Sequence, residues 1–226
     1  MTFRIGYLVF PDITQLDLTG PQQVLARVPG AEQLLIWKTR EPVRSESGLM
    51  LIPDITYADC PPLDMICVPG GPGMNALLTD ADTIAFLRRM APKAKYVTAV
   101  CTGSLVLGAA GLLKGKRAAT HWAAMEFLSS FGATAIDERV VVDGNVITGG
   151  GVTAGIDFGL KVAAEVAGEQ MAKAIQLMVE YDPDPPFDNG HPRSADPAVL
   201  AMLRERMQPM QTQRAAQVEA AAAKLR

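Results

Sequence analysis

Short apolar runs alternate with stretches of helical periodicity along most of the chain, the pattern of an α/β domain built on a mainly parallel sheet. Residues 3–10 (FRIGYLVF) predict a first strand, followed by a loop and a helix over 21–28. Residues 32–38 predict a second strand, and 42–54 hold one or two short ones. The run LDMICV, 63–68, predicts a buried strand that ends at Pro69-Gly70-Gly71. A helix over 80–91, a strand over 96–100 and helices over 102–112 and 123–131 follow. Between 139 and 148 apolar residues flank Asp143-Gly144-Asn145, a strong two-strand hairpin signal. The triple glycine 149–151 then leads into a helical region from 152 to about 181, interrupted near Gly168.

After Tyr181 the pattern changes. The segment DPDPPFDNG, 182–190, carries three prolines and predicts an arm without regular structure. Residues 195–226 are alanine-rich and helical by propensity, with Leu200, Leu203, Met207 and Met210 spaced by three and four. That stripe needs a cover, either the body of the same chain or a partner subunit. The division predicted is thus an α/β domain over 1–181 and a Pro-rich arm with a C-terminal helix over 182–226.

Composition narrows the class. Hydrophobic residues make up 49% and charged residues 20%, the latter below the usual quarter, which predicts elements buried on more than one face. Eighteen residues from Tyr96 to Leu113 carry no charge, a length that grazes a membrane span; three Gly, two Thr, one Ser and one Cys within them fit a strand, turn and helix better. The start of the chain lacks a basic segment with a cleavage site, so the cytoplasm is the default compartment. Cys60, Cys67 and Cys101 form no CxxC pair and suit a reducing environment. A net charge of −3 without a basic run gives no support for nucleic-acid binding. Two histidines and no HExxH give none for a catalytic metal.

Cys101 is the most informative position, because it falls where the apolar strand YVTAV meets the small-residue segment CTGSLVLGAAGLL. A nucleophile at such a junction sits on a sharp turn at the carboxyl end of the sheet, beside a helix N-terminus that should lower its pKa. Cys67 reads as a core residue and Cys60 as inert. The loop Pro69-Gly70-Gly71-Pro72-Gly73 opens at the same sheet edge, where glycines let backbone N–H groups approach a ligand. Asp12 and Asp17 follow the first strand. Asp17 reads either as a general acid with a raised pKa or as the cap of the helix entered at Pro21. His121 reads either as a base for the cysteine or as a cap beside Trp122, and His191 as a surface residue.

The segments Asp17-Leu-Thr-Gly-Pro21, Ile66-Cys-Val-Pro-Gly-Gly71, Val100-Cys-Thr-Gly-Ser-Leu105 and Gly111-Leu-Leu-Lys-Gly-Lys-Arg-Ala-Ala-Thr-His-Trp122 resemble the ThiJ/PfpI superfamily and, within it, the isocyanide hydratases. The resemblance implies a flavodoxin-like sandwich, a homodimer, no cofactor, Cys101 as nucleophile and Asp17 as acid and base. The substrate implied is an isocyanide, hydrated to an N-formamide through a thioimidate on Cys101. Thr102 and the N–H groups of Gly71 and Gly73 are then candidates to orient the acid or hold the intermediate, and Val152 to line the pocket. Protease-like members place His where this chain has Thr102, which speaks against peptidase activity. Two other readings follow from the resemblance. The segment ATHW is similar to the effector-binding domains of AraC-type regulators, although only about 45 residues follow Tyr181, too few for their DNA-binding domain. A redox or stress sensor would use Cys101 as an oxidisable thiol.

Overall fold

A computed structural model of the chain describes residues 2–225. Strand β1 (Phe3–Leu8) leads into α1 (Gln15–Leu25), β2 (Ala31–Trp37), the short β3 (Val43–Arg44) and β4 (Met50–Leu51), and β5 (Ile55–Thr56). Next come β6 (Met65–Val68), α2 (Met74–Leu77), α3 (Ala81–Met90), β7 (Tyr96–Val100) and α4 (Gly103–Ala109). The short β8 (Arg117–Ala118), a 3-10 helix (Trp122–Phe131) and β9 (Thr134–Ala135) precede the hairpin of β10 (Val140–Asp143) and β11 (Val146–Gly149). Helices α5 (Ala154–Ala167), α6 (Glu169–Met178) and α7 (Pro197–Ala223) complete the fold.

Seven strands form one sheet in the order β10-β11-β7-β6-β1-β2-β5. All pairings in it are parallel except that of the β10–β11 hairpin. Helix α5 packs against both α1 and α6, and α2, α3, α4 and α7 form a second group. Covered on both faces, the central strands read as continuous apolar runs: all of β6 and all but the first residue of β7 are buried. The arrangement is the α/β domain on a mainly parallel sheet that the alternating pattern predicts and the flavodoxin-like sandwich that the resemblance implies, with a C-terminal helical extension.

The uncharged stretch 96–113 divides into β7, a turn and α4, and no helix among the described residues is long and apolar enough to cross a membrane. Three elements differ from the sequence expectation. Helix α1 starts at Gln15, with Pro21 inside it, so Asp17 lies in its first turn. Helix α4 stops at Ala109, shortly before Gly111 turns the chain at φ +80°. Residues 122–131 coil as a 3-10 helix.

The first half of α7 leaves Val199, Met202 and Leu203 exposed, and only its second half docks on the body, through Arg214, Val218, Ala221 and Ala222. Of the stripe expected to dock, Leu200, Met207 and Met210 are partly buried and Leu203 is exposed. Leu49, Met50 and Ile52, around β4, are exposed as well.

Candidate active site

The carboxyl ends of β1, β6 and β7, three neighbours in the sheet, bring together Asp17, the glycine loop and Cys101. Cys101 follows β7 directly and takes φ +57°, a left-handed conformation rare outside glycine. Its strain is held in place by neighbours: the Cys101 N–H donates to Gly149 O at 3.0 Å and Gly150 O at 2.9 Å, and Thr120 Oγ1 donates to Cys101 O at 2.8 Å. The residue is 5% exposed. This is the elbow that the strand-to-helix junction predicts.

Asp17 is fully buried beside the sulfur. Its Oδ2 accepts the Gly70 N–H at 3.0 Å, while Oδ1 has no hydrogen-bond partner. Burial pushes the carboxyl up to about 7, against the lowering pull of Cys101 and the Gly70 amide; Glu46 adds a small upward push. The carboxyl thus holds a proton far more readily than an exposed aspartate. Lying inside α1, Asp17 is not the cap of a helix entered at Pro21.

The Cys101 thiol is moved opposite to the sequence expectation. Burial raises it well above its ordinary value and the Asp17 charge raises it further, whereas the amides of Thr102 and Val152 pull it down. The seven-residue α4 does not offset the loss of water. Cys101 and Asp17 are therefore a coupled pair, in which ionising one opposes ionising the other.

The loop glycines act differently from expectation. The Gly71 N–H donates to Thr102 Oγ1 at 3.1 Å and the Gly73 N–H to Asp12 O at 3.1 Å, so neither amide is free for an intermediate, and the amide that orients the acid is that of Gly70. At Gly70 a Cβ would lie 2.6 Å from Thr102 N and 2.9 Å from Asp17 Oδ2, so no larger residue fits without moving the acid. Gly71 has φ +129°, and a Cβ there would meet Thr14 N at 2.3 Å. Thr102 is buried, and its hydroxyl ties the elbow to this loop. Val152 is partly buried against the core, and its backbone amide is the group that acts on the sulfur.

His121 caps the 3-10 helix, its Nδ1 accepting the Ala123 N–H at 3.3 Å, and burial together with nearby Arg214 lowers it to about 4. It stays neutral at pH 7. His191 pairs with Asp137 in an exposed position. Cys67 is buried in β6 with its thiol pushed up to about 12, and burial pushes half-buried Cys60 up to about 11. No cluster of three or more metal-ligating side chains is present among the described residues. Gly70 belongs to the glycine loop that the sequence points to without being singled out within it, and the buried Arg214 of α7, which acts on His121, carries no sequence signal.

The model of the DJ-1/PfpI family matches residues 4–165. The isonitrile hydratase of Pseudomonas putida is 53% identical over 225 residues, spanning 100% of this chain and 99% of that protein. A crystal structure of a ThiJ/PfpI family protein from Pseudomonas syringae superposes with a TM-score of 0.93 at 42% identity, covering 98% of this chain and 91% of that one. The HTH-type transcriptional regulator GbdR of Pseudomonas aeruginosa is 30% identical, but the match spans 79% of this chain and 50% of the regulator.

Proposed function

The chain belongs to the DJ-1/PfpI family, and from that premise we propose that it is an isocyanide hydratase, converting an isocyanide and water to an N-formamide with Cys101 as nucleophile and Asp17 as acid and base. The observation that carries the reading is the protonatable carboxyl of Asp17, buried beside the sulfur of Cys101. Identity of 53% along the whole chain to an isonitrile hydratase supports it, because the match includes the arm and α7.

The chemistry follows from the pair. The terminal carbon of R–N≡C is electrophilic, and thiolate attack forms the C–S bond while negative charge builds on that carbon. Asp17 supplies the proton, leaving a carboxylate and the thioimidate R–N=CH–S–Cys101. The carboxylate then takes a proton from water as the water oxygen adds to the carbon, and that proton passes on to nitrogen. Collapse of R–NH–CH(OH)–S–Cys101 returns the hydroxyl proton to Asp17, expels the thiolate and releases R–NH–CHO. Every proton is accounted for without a metal or organic cofactor.

Gly70 holds Oδ2 of the acid and leaves Oδ1 without a partner, an arrangement suited to carrying the proton on Oδ1. Thr102 keeps elbow and loop in register, and the Thr102 and Val152 amides stabilise the charged sulfur. Incubating the purified protein with an aryl isocyanide should produce the corresponding formamide, read by the ultraviolet absorbance of the product. Unchanged isocyanide would overturn the assignment and favour an effector-binding or redox role for the same elbow.

Two copies of the chain are proposed to pair, covering the exposed Leu49, Met50 and Ile52 around β4 and the first half of α7. Light scattering should give twice the 24.1 kDa of one chain; a monomer at micromolar concentration would refute the pairing.

A further inference from the structure

A cavity of about 230 Å³ lies between the 3-10 helix and the loop that follows β11. Its floor is the backbone that holds the elbow. Thr120, whose Oγ1 donates to Cys101 O at 2.8 Å, lines it, as do Gly150, whose O accepts the Cys101 N–H at 2.9 Å, and Val152, whose amide acts on the sulfur. Trp122, Met125 and Ile136 give it an apolar side. The two arginines that line it are each held by a carboxylate, Arg139 by Asp157 and Arg193 by Asp137, so an anionic group finds no unpaired arginine there. A dry apolar cavity of roughly 150 Å³ already takes up benzene. The room here suits a ring with a small substituent.

The outer wall comes from the arm. Gly190, His191 and Arg193 line the cavity, although residues 182–190 are all exposed. Among the described residues, the hydrogen bonds that tie residues 183–194 to the body all end on Asp137: His191 Nε2 meets Oδ1 at 3.1 Å, and Arg193 Nη1 donates to Oδ2. The Arg193 N–H donates to His191 Nδ1 at 3.2 Å, which leaves the ring proton on Nε2, facing the carboxylate. The segment carrying Asp137 is itself fixed to the floor, because the Ile136 N–H donates to Ala118 O at 2.9 Å and the Gly150 N–H to Arg139 O at 2.8 Å. An exposed strap is thus latched to a rigid post through one carboxylate. An exposed ion pair of this kind shifts an equilibrium between open and closed by up to about fivefold.

We propose that this cavity receives the R group of the isocyanide, compact, apolar and of the size of a substituted phenyl ring, and that Asp137 is the positioning residue that closes the arm over it by holding His191 and Arg193. The identity of the R group rests on the hydratase reading; the latch does not. With the arm closed, a compact group is enclosed against the backbone of the elbow, whereas a bulkier one has to displace the strap.

Alkylation of Cys101 by a small reagent, iodoacetamide, and by a bulky one, a fluorescein maleimide, reads the latch without any isocyanide, with peptide mapping to separate Cys101 from Cys60. In Asp137→Ala the ratio of maleimide rate to iodoacetamide rate should rise by up to about fivefold over wild type, and Asp137→Glu should restore most of the original ratio. His191→Ala together with Arg193→Ala should give the same rise, and adding Asp137→Ala to that pair should add nothing. An unchanged ratio, or effects that add, overturns the latch. For the R group, Ile136→Trp narrows the cavity, and Met125→Trp replaces it if the first variant does not fold. The ratio of kcat/KM for phenyl isocyanide to that for methyl isocyanide should fall about tenfold, through KM. A merely structural role would lower both substrates alike, and an unchanged ratio overturns the assignment of the cavity. A raised alkylation ratio in a protein that leaves isocyanides untouched would retain the latch and reject the hydratase reading.

Discussion

Cys101→Ala abolishes hydration of an aryl isocyanide, lowering kcat/KM by at least about 10⁴-fold, because without sulfur there is no covalent path and water alone attacks an isocyanide very slowly. The variant is a clean one. Alanine faces the same left-handed φ of +57° as cysteine, and the hydrogen bonds that hold the elbow run through the backbone of residue 101 and the Thr120 hydroxyl. Near-ultraviolet circular dichroism should therefore match the wild type. Intact-mass spectra of the wild type quenched during turnover should show an adduct of substrate mass, absent from the variant. Turnover by a folded Cys101→Ala protein would exclude the covalent mechanism.

Asp17→Asn is the second large effect, a loss of about 10²- to 10⁴-fold, since the amide cannot protonate the carbon attacked by sulfur. No adduct should build up; an adduct that forms but is not released would restrict Asp17 to activating water. The pH dependence adds an independent reading. With one proton shared between carboxyl and thiol, the reactive state needs the pair to have lost its first proton, which Asp17 places at about 7. Wild-type kcat/KM should accordingly rise with pH up to about 7 and then level off, and Asp17→Asn should lose that inflection. Stability moves the other way. A buried carboxyl at about 7 instead of its ordinary 3.8 favours the folded state only while it is protonated, so its contribution is intact below pH 4 and lost as pH rises through 7. At pH 8 the impaired Asp17→Asn protein should be more stable than wild type by up to about 4 kcal/mol, and at pH 4 the difference should vanish, as measured by urea unfolding.

Much of the sheet was legible because parallel strands buried on both faces leave apolar runs in the sequence, as in LDMICV and YVTAV, and because Asp143-Gly144-Asn145 marks its hairpin. Cys101 was legible for a related reason: the junction of such a run with small residues fixes where the elbow must lie. Pro21 misled, since proline favours a first helical turn, yet here it sits inside α1, and the helix reaches back to include Asp17. The sequence does not separate Gly70 from Gly71 and Gly73, because composition does not reveal where an N–H points; the hydrogen bonds of Gly71 and Gly73 stay within the loop and its supports. The thiol was expected to be acidified because a helix start is visible in sequence, whereas the desolvation that dominates depends on everything packed around it. Arg214 gave no signal at all. Its partner Asn75 is 139 residues away, and in an alanine-rich helical segment one arginine looks like any exposed charge.

The adjacency of β7, β6 and β1 in the sheet also governs when the site comes into being. Asp17 lies 53 residues from the amide that orients it, and Gly71 lies 31 residues from the Thr102 hydroxyl it binds. During synthesis the aspartate emerges first and stays hydrated and acidic; its burial waits until the strands carrying the loop and the elbow have paired beside it. Such long-range pairing is slow compared with helix formation. Burial of the Cys101 thiol, read as slowed alkylation, is thus a late marker of folding, one that would report whether the three central strands have come together.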